Sequence, residues 1–160
     1  MLHFLGSIEP HLGVFLATFI PFLETRAAVT LGLVVYHLSP LTTIGLATLA
    51  SFVIPVIVLP LLGTLIAWMR TWHNQIDHYL DKFLNHKLRH HSGSFDRWGA
   101  LALFAYVAIP LPLTGAWSAS ILAYLFGVKF WPAVIAITLG AAASSILVAA
   151  GILGGLRLFA

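Results

Sequence analysis

The sequence predicts an all-α integral membrane protein. The expected architecture is an inverted repeat of two units, each a re-entrant helical hairpin followed by a transmembrane helix, joined by a cytoplasmic amphipathic helix. Three observations predict it. First, the 160 residues are 60% hydrophobic and only 8% charged, with a mean hydropathy of +0.98, whereas soluble domains carry about 25% charged residues. Second, two apolar runs are broken near their middles, at Ile20-Pro21-Phe22-Leu23-Glu24-Thr25-Arg26-Ala27 and, 89 positions later, at Ile109-Pro110-Leu111-Pro112-Leu113-Thr114-Gly115-Ala116. Third, the two broken runs correspond. With Thr25 set over Thr114, segments 12–38 and 101–127 match at Leu12/Leu101, Phe15/Phe104, Ile20/Ile109, Pro21/Pro110, Thr25/Thr114, Ala27/Ala116 and Leu33/Leu122, seven of 27 positions. Apolar composition inflates such a count, but Ile-Pro and the following Thr keep their spacing across the break in both halves.

The whole chain reads as one membrane domain, 1–160, with repeat 1 at 12–69, a linker at 70–97 and repeat 2 at 98–156. Residues 1–11 mix Leu2, Phe4, Leu5 and Ile8 with His3, Glu9 and His11, as an interfacial segment does. They lack a basic n-region and carry Glu9 and Pro10 where a signal peptide has its apolar core. The pieces on either side of the first break, 12–23 and 26–38, are each about half of the ~20 residues that cross a bilayer. Two half-length helices meeting at a polar break predict the hairpin 12–38; one kinked helix across 12–36 is the alternative. Ser39-Pro40 reads as a turn. Residues 41–69 form an uncharged apolar span containing Pro55 and Pro60, each of which removes a backbone donor and predicts a kink. Trp68 stands at its end as an interface anchor.

Residues 70–97 are polar, but Trp72, Ile76, Tyr79, Leu80, Phe83, Leu84 and Leu88 recur every three or four positions, which predicts an amphipathic helix over 72–88 in the headgroup region. Ser92-Gly93-Ser94 reads as the joint that ends it. Five of the eight histidines lie here: His73, His78, His86, His90 and His91. His86 and His90 have i,i+4 spacing, yet no carboxylate or cysteine completes a metal site, so neither metal nor cofactor is expected. Residues 98–127 form the second hairpin, with Trp98 at its start, and Lys129 with Trp131-Pro132 marks a turn. The last span, 133–156, is rich in small residues. Gly140/Ser144 and Gly151/Gly155 have the spacing that lets helix backbones approach closely, within the chain or, with a homodimer as an option, between copies.

Each hairpin enters and leaves on one side, so each unit crosses the membrane once and the second is inverted. Arg70, Lys82, Lys87, Arg89, Arg97 and Lys129 then share the linker side and Arg157 alone lies opposite, which places the linker 70–97 in the cytoplasm and both termini outside. A plain four-span arrangement keeps the linker inside but brings both termini in with it and puts Lys129 outside. The isoelectric point of 9.6 comes from this loop and does not point to nucleic acid. The chain has no cysteine, so disulfides and thiol chemistry are excluded. No metal-binding His-Glu motif, serine–histidine pairing within the runs or nucleotide loop is present, so an enzyme is not expected.

Two stretches resemble a known family. Pro21-Phe22-Leu23-Glu24-Thr25-Arg26-Ala27-Ala28-Val29 and Phe104-Ala105-Tyr106-Val107-Ala108-Ile109-Pro110-Leu111-Pro112-Leu113-Thr114-Gly115-Ala116-Trp117 are similar to the two signatures of the small multidrug export protein family of prokaryotic membranes, itself distantly similar to the DedA/VTT superfamily. The resemblance covers roughly 12–155. The chain departs from the family pattern at Thr30, where Pro is usual, and at Leu113 and Ala119, where Gly is usual. The resemblance implies the cytoplasmic (inner) membrane, two re-entrant hairpins and the handling of polyprenyl-phosphate carriers or phospholipids.

Charge at membrane depth is costly, so Glu24 and Arg26 are candidate site residues. Thr25 and Thr114 directly precede the helical halves 26–38 and 115–127 and are expected to cap them, turning two helix N-termini toward an anion. Arg26 adds a planar fork suited to phosphate. The expected substrate-binding set is Pro21, Glu24, Thr25, Arg26, Pro110, Pro112, Thr114 and Gly115. Glu24, alternating between Arg26 and a proton, is the proton-coupling residue. The bland reading is that Glu24 and Arg26 form a buried pair that fixes the hairpin tip. Three functions follow: a transporter or flippase of an anionic amphipathic substrate such as a lipid phosphate, an exporter of cationic drugs driven by protons, or a membrane scaffold acting through its linker. The partners implied are membrane lipid, the lipid-phosphate or amphipathic small-molecule substrate, and protons.

The topology is open to direct measurement. Cysteines placed at Ser7 and Ser92 in this cysteine-free chain will label differently with a membrane-impermeant thiol reagent in intact cells. Equal labelling overturns the hairpin arrangement in favour of four spans.

Overall fold

The protein is described by a computed structural model. It covers residues 9–20, 24–72, 93–111 and 114–159, with side chains for all of these except 24, 69–72, 93–97 and 156–159. The described chain is all-helical. Pro10, whose missing N–H costs nothing at a first helical position, opens α1 (Pro10–Phe19). The helix stops there because Pro21 disfavours helical backbone at the residue before it. Ile20 is extended, at φ −77° and ψ 117°. Helix α2 begins at Glu24, runs to Thr30 and widens into a π-helical stretch, Leu31–Val35. His37 takes a left-handed conformation, φ 51°. The Ser39 hydroxyl then accepts the Thr42 N–H at 3.2 Å and caps α3 (Pro40–Trp72), with Pro40 in the first position.

The second half follows the same plan. Helix α4 (Gly93–Ala108) ends before Ile109-Pro110, 89 positions after α1 ends before Ile20-Pro21. Helix α5 (Ala116–Phe126) closes on Gly127 in the left-handed conformation, φ 70°, which lets the Val128 N–H return to the Ala123 carbonyl at 3.0 Å. Helix α6 (Phe130–Phe159) follows.

Helices α3 and α6 are long and apolar enough to cross a bilayer, over Pro40–Trp68 (29 residues) and Phe130–Gly155 (26 residues), and they pack along each other. The four shorter helices dress this pair, α1 and α5 mainly on α3, α2 and α4 mainly on α6. In the first broken run the far ends of α1 and α2 meet: the Tyr36 hydroxyl lies 2.5 Å from where a Cβ on Gly13 would stand. In the second, Val128 lies 3.0 Å from the same position on Gly99. Along α3, Ser51 reaches Thr25 next to the first break, and Gly63 faces Tyr124 near the far end of α5. Along α6, Gly140 packs against Phe104 and Val107 of α4, while Ala149 joins Val29 and Ala47 beside α2. The main core lies where α3, α4, α5 and α6 converge, with Ile54, Val107, Ala119, Ala123, Val134 and Ile137 at its centre. Outward, Leu41, Leu61, Trp98, Leu139 and Ile146 are more than half exposed. An apolar surface this extensive suits hydrocarbon rather than water, and the protein is a membrane protein.

Several boundaries differ from those read in the sequence. Gly93 and Ser94 are not a joint but the first turn of α4. Trp131-Pro132 is not a turn; the reversal is Gly127–Lys129, and Pro132 falls in the first turn of α6, where its lost N–H is harmless. Helix α3 continues through Pro55, fully buried, and Pro60. The two small-residue pairs separate as well: Gly140 and Ser144 face the interior, whereas nothing lies within 4 Å of the Cβ positions of Gly151 and Gly155. The amphipathic segment 72–88 and its histidines lie, from 73 onward, outside the described residues.

These contacts set opposite outcomes for two glycines of α6. A Cβ at Gly140 would stand 2.8 Å from both the Phe104 carbonyl oxygen and the Val107 Cβ, so Gly140→Ala will destabilise by about 1–3 kcal/mol. Gly151→Ala, with open space around it, will stabilise the helix by about 0.5–1 kcal/mol. Tryptophan-fluorescence melting of the detergent-solubilised variants reads both; equal shifts would contradict this packing.

Candidate functional site

A broken helix in a membrane leaves backbone carbonyls without partners, and hydrocarbon supplies none. The end of α4 and the break after it close some of these within the loop, the Leu111 N–H going to the Ile109 carbonyl at 2.8 Å, and one side chain from the other half of the molecule reaches them as well. Arg26, in the first turn of α2, donates through Nη2 to the Ile109 carbonyl at 3.2 Å, the Thr114 carbonyl at 3.2 Å and the Thr114 hydroxyl at 2.6 Å. The charge sits at the C-terminal end of α4, where the helix dipole is negative. Thr114 works in both directions. It accepts from Arg26, and its proton is shared between the carbonyls of Ile109 at 2.9 Å and Leu111 at 2.8 Å. The two breaks are therefore joined by a charge-assisted clasp.

Thr25 makes a second tie. Its hydroxyl lies 2.8 Å from that of Ser51 on α3. Ser51 donates its own proton to the Ala47 carbonyl at 2.8 Å, so Thr25 is the donor. Neither threonine caps a helix, contrary to the sequence reading. Helix α2 starts at Glu24, which puts Thr25 inside its first turn and sends the hydroxyl sideways to α3. At the second break the hydroxyl of Thr114 is committed to loop carbonyls and Arg26. The cap of α5 forms at Gly115 instead, whose N–H goes to the Ser118 hydroxyl at 3.2 Å.

Thr25, Arg26, Thr114 and Gly115 line one small cavity with Val107, Ala141 and Ser144. Its volume of about 10 Å³ is room for a single water-sized group. Four residues of the expected set thus come together. Pro110 lies in the second break, exposed. Glu24 opens α2, but its side chain, with Pro21 and Pro112, lies outside the described residues. Sequence reading missed Ser51, the Ile109 carbonyl and the hydroxyl of Ser144. In the sequence Ser144 reads only as a small residue, and no pattern marks a serine in a long apolar helix as facing a charge. At the departures from the family pattern, Thr30 bonds the Arg26 carbonyl at 2.9 Å and Ala119 is fully buried in the core.

Fold and site together define a small helical membrane protein in which two helix breaks meet at a polar junction inside an apolar body. A family model described as Putative small multi-drug export protein matches residues 24–147, and the chain belongs to that family. No curated protein and no solved structure matches it.

The clasp can be weighed. In a double-mutant cycle on Arg26→Ala and Thr114→Val, the coupling energy will be about 1.5–3 kcal/mol, as for a hydrogen bond to a charged group. Chemical unfolding in detergent provides the measurement, and additive effects would mean the clasp holds nothing.

Proposed function

We propose that the protein is a transporter of an anionic amphipathic substrate, a lipid phosphate, that passes its headgroup across the membrane at the junction of the two breaks. The observation that carries this is the sign of the junction: the charge that joins the breaks is a guanidinium, bonded to Thr114 and the Ile109 carbonyl. Guanidinium matches phosphate geometry with two parallel donors. In this reading the helix pairs 10–35 and 93–126 are re-entrant hairpins, and the two halves form an inverted repeat. Support comes from the meeting of Gly13 with Tyr36 and of Gly99 with Val128, and from the 89-residue register shared by the helix ends. The membrane is the cytoplasmic one, with both termini outside, on the charge bias of 70–97 and Lys129. Glu24 carries the proton that couples to the substrate. The chain is not an enzyme.

A second reading, export of cationic drugs on the Glu24 carboxylate, has the family description in its favour. Arg26 beside such a site would repel its cation.

The two readings predict opposite orders of damage. With purified protein in liposomes, flipping of a fluorescent phosphate-bearing lipid will fall at least about tenfold in Arg26→Ala, the loss expected when one charge-assisted hydrogen bond is removed. Arg26→Lys will recover it in part, and Glu24→Gln will keep activity but lose its pH dependence. The exporter reading requires the reverse, with ethidium transport abolished by Glu24→Gln and spared by Arg26→Ala. Unchanged activity in both variants would place the site elsewhere, and a parent protein that transports neither substrate would leave the scaffold role.

A further inference from the structure

Most of the hydroxyls buried in the apolar helices follow one rule among the described residues. Thr18, Thr43, Ser51, Ser120 and Ser145 are fully buried, and each donates to the carbonyl four residues before it: Val14, Ser39, Ala47, Ala116 and Ala141, at 2.6 to 3.1 Å. That bond is the default for a helical hydroxyl without water. Thr25 is tied to Ser51. Two buried hydroxyls have no hydrogen-bond partner among the described residues: that of Thr48, on a half-buried residue away from the junction cavity, and that of Ser144, a residue only 2% exposed. Its neighbour Ser145 obeys the rule on the same helix, so local backbone geometry does not explain the difference. What distinguishes Ser144 is its position on the wall of the cavity that Arg26, Thr25 and Thr114 also line. Native proteins rarely leave a buried hydroxyl unpaired, and the exceptions call for an explanation.

We propose that Ser144 is a substrate-binding residue whose hydroxyl donates to an oxygen of a phosphate-type oxyanion while Arg26 holds a second oxygen of the same group. This rests on the transporter reading above and adds to it a residue on α6. The cavity of about 10 Å³ admits a single oxygen-sized group, so a whole phosphate enters only as the clasp between Arg26 and the second break loosens. Ser144 is then a donor that the closed junction does not use and the loaded one does. An apolar or cationic ligand has no use for a donor beside a guanidinium, so the pair selects for oxyanions.

The test compares neighbouring serines in the full-length detergent-solubilised protein, with dioctanoyl phosphatidic acid and inorganic phosphate as probes, by titration calorimetry and thermal melting. Ser144→Ala is expected to weaken phosphatidic acid binding about tenfold without lowering the melting temperature, since it removes a hydroxyl with no native bond. Ser145→Ala is expected to lower the melting temperature and leave affinity unchanged. Ser144→Cys, similar in volume but a weak donor, is expected to behave as the alanine variant and serves if that one fails to purify. If Ser144→Ala and Ser144→Cys bind within about twofold of the parent while Arg26→Ala has lost binding, the inference is overturned and the transporter reading stands. If Arg26→Ala also binds normally, or the parent protein binds neither probe, both are overturned. Competition by inorganic phosphate, lost in the same variants, identifies the oxyanion alone as the ligand. Binding of the lipid without such competition identifies the lipid headgroup.

Discussion

The structure depends on the clasp between Arg26 and the carbonyls of the second break. The break after α4 gathers several backbone oxygens in one place, and in hydrocarbon an unsatisfied one costs several kcal/mol. A guanidinium is the economical answer. It carries several donors in one plane, stays charged in any surroundings and meets the negative end of a helix dipole. The charge in turn is held by those oxygens, because an unpaired guanidinium within an apolar body is itself costly. Each half of the molecule thus contributes to the junction, the first a charge and the second the oxygens that accept from it.

The long helices serve this junction. Helix α3 places Ser51 under Thr25, and α6 places Ala141 and Ser144 against the cavity. One turn before Ser144, Gly140 lets the α4 backbone come close, with the Phe104 carbonyl oxygen 2.8 Å from where its Cβ would stand. That approach helps hold the end of α4, and hence the Ile109 carbonyl, within reach of Arg26. Small residues in α6 are therefore not general lubricants of packing. Gly140 has a defined task, and Gly151 and Gly155 have none within the described chain.

Much of this was legible in the sequence, for physical reasons. Ile-Pro stops a helix through sterics alone, so both breaks could be placed to the residue, and the 89-position register carried from Ile20/Ile109 into the helix ends. Glu24 and Arg26 in an apolar run could be marked as a site because burying charge is expensive. What could not be read was direction. Whether the Thr25 hydroxyl turns back to cap α2 or sideways to Ser51 depends on two residues of difference in the helix start, which propensity does not fix. The partners of Arg26 are mostly backbone carbonyls, which carry no signature in side-chain identity. Boundaries marked by Gly93 and by Trp131-Pro132 misled because glycine and proline are both tolerated in a first helical turn, where they resemble loop punctuation.

The strength of the clasp bears on how such a protein can move. Hydrogen bonds to a charged group contribute about 1.5–3 kcal/mol each, so the two or three at Arg26 hold the closed junction by an amount close to the ~5.5 kcal/mol needed to carry a two-state equilibrium from one side to the other. A ligand shifts that equilibrium only through the difference in its affinity for the two states. Apolar contact with the outer helices is the same whether the breaks are joined or parted, and it moves nothing. An oxyanion that replaces the Ile109 and Thr114 oxygens at the guanidinium binds only when the breaks part, and it repays the bonds it displaces with stronger, fully charged ones. The carbonyls it releases must then find other donors or water. If the junction opens as proposed, its opening and the hydration of the second break would be one event, and a substrate that brings its own charge and water shell would be the kind to drive it.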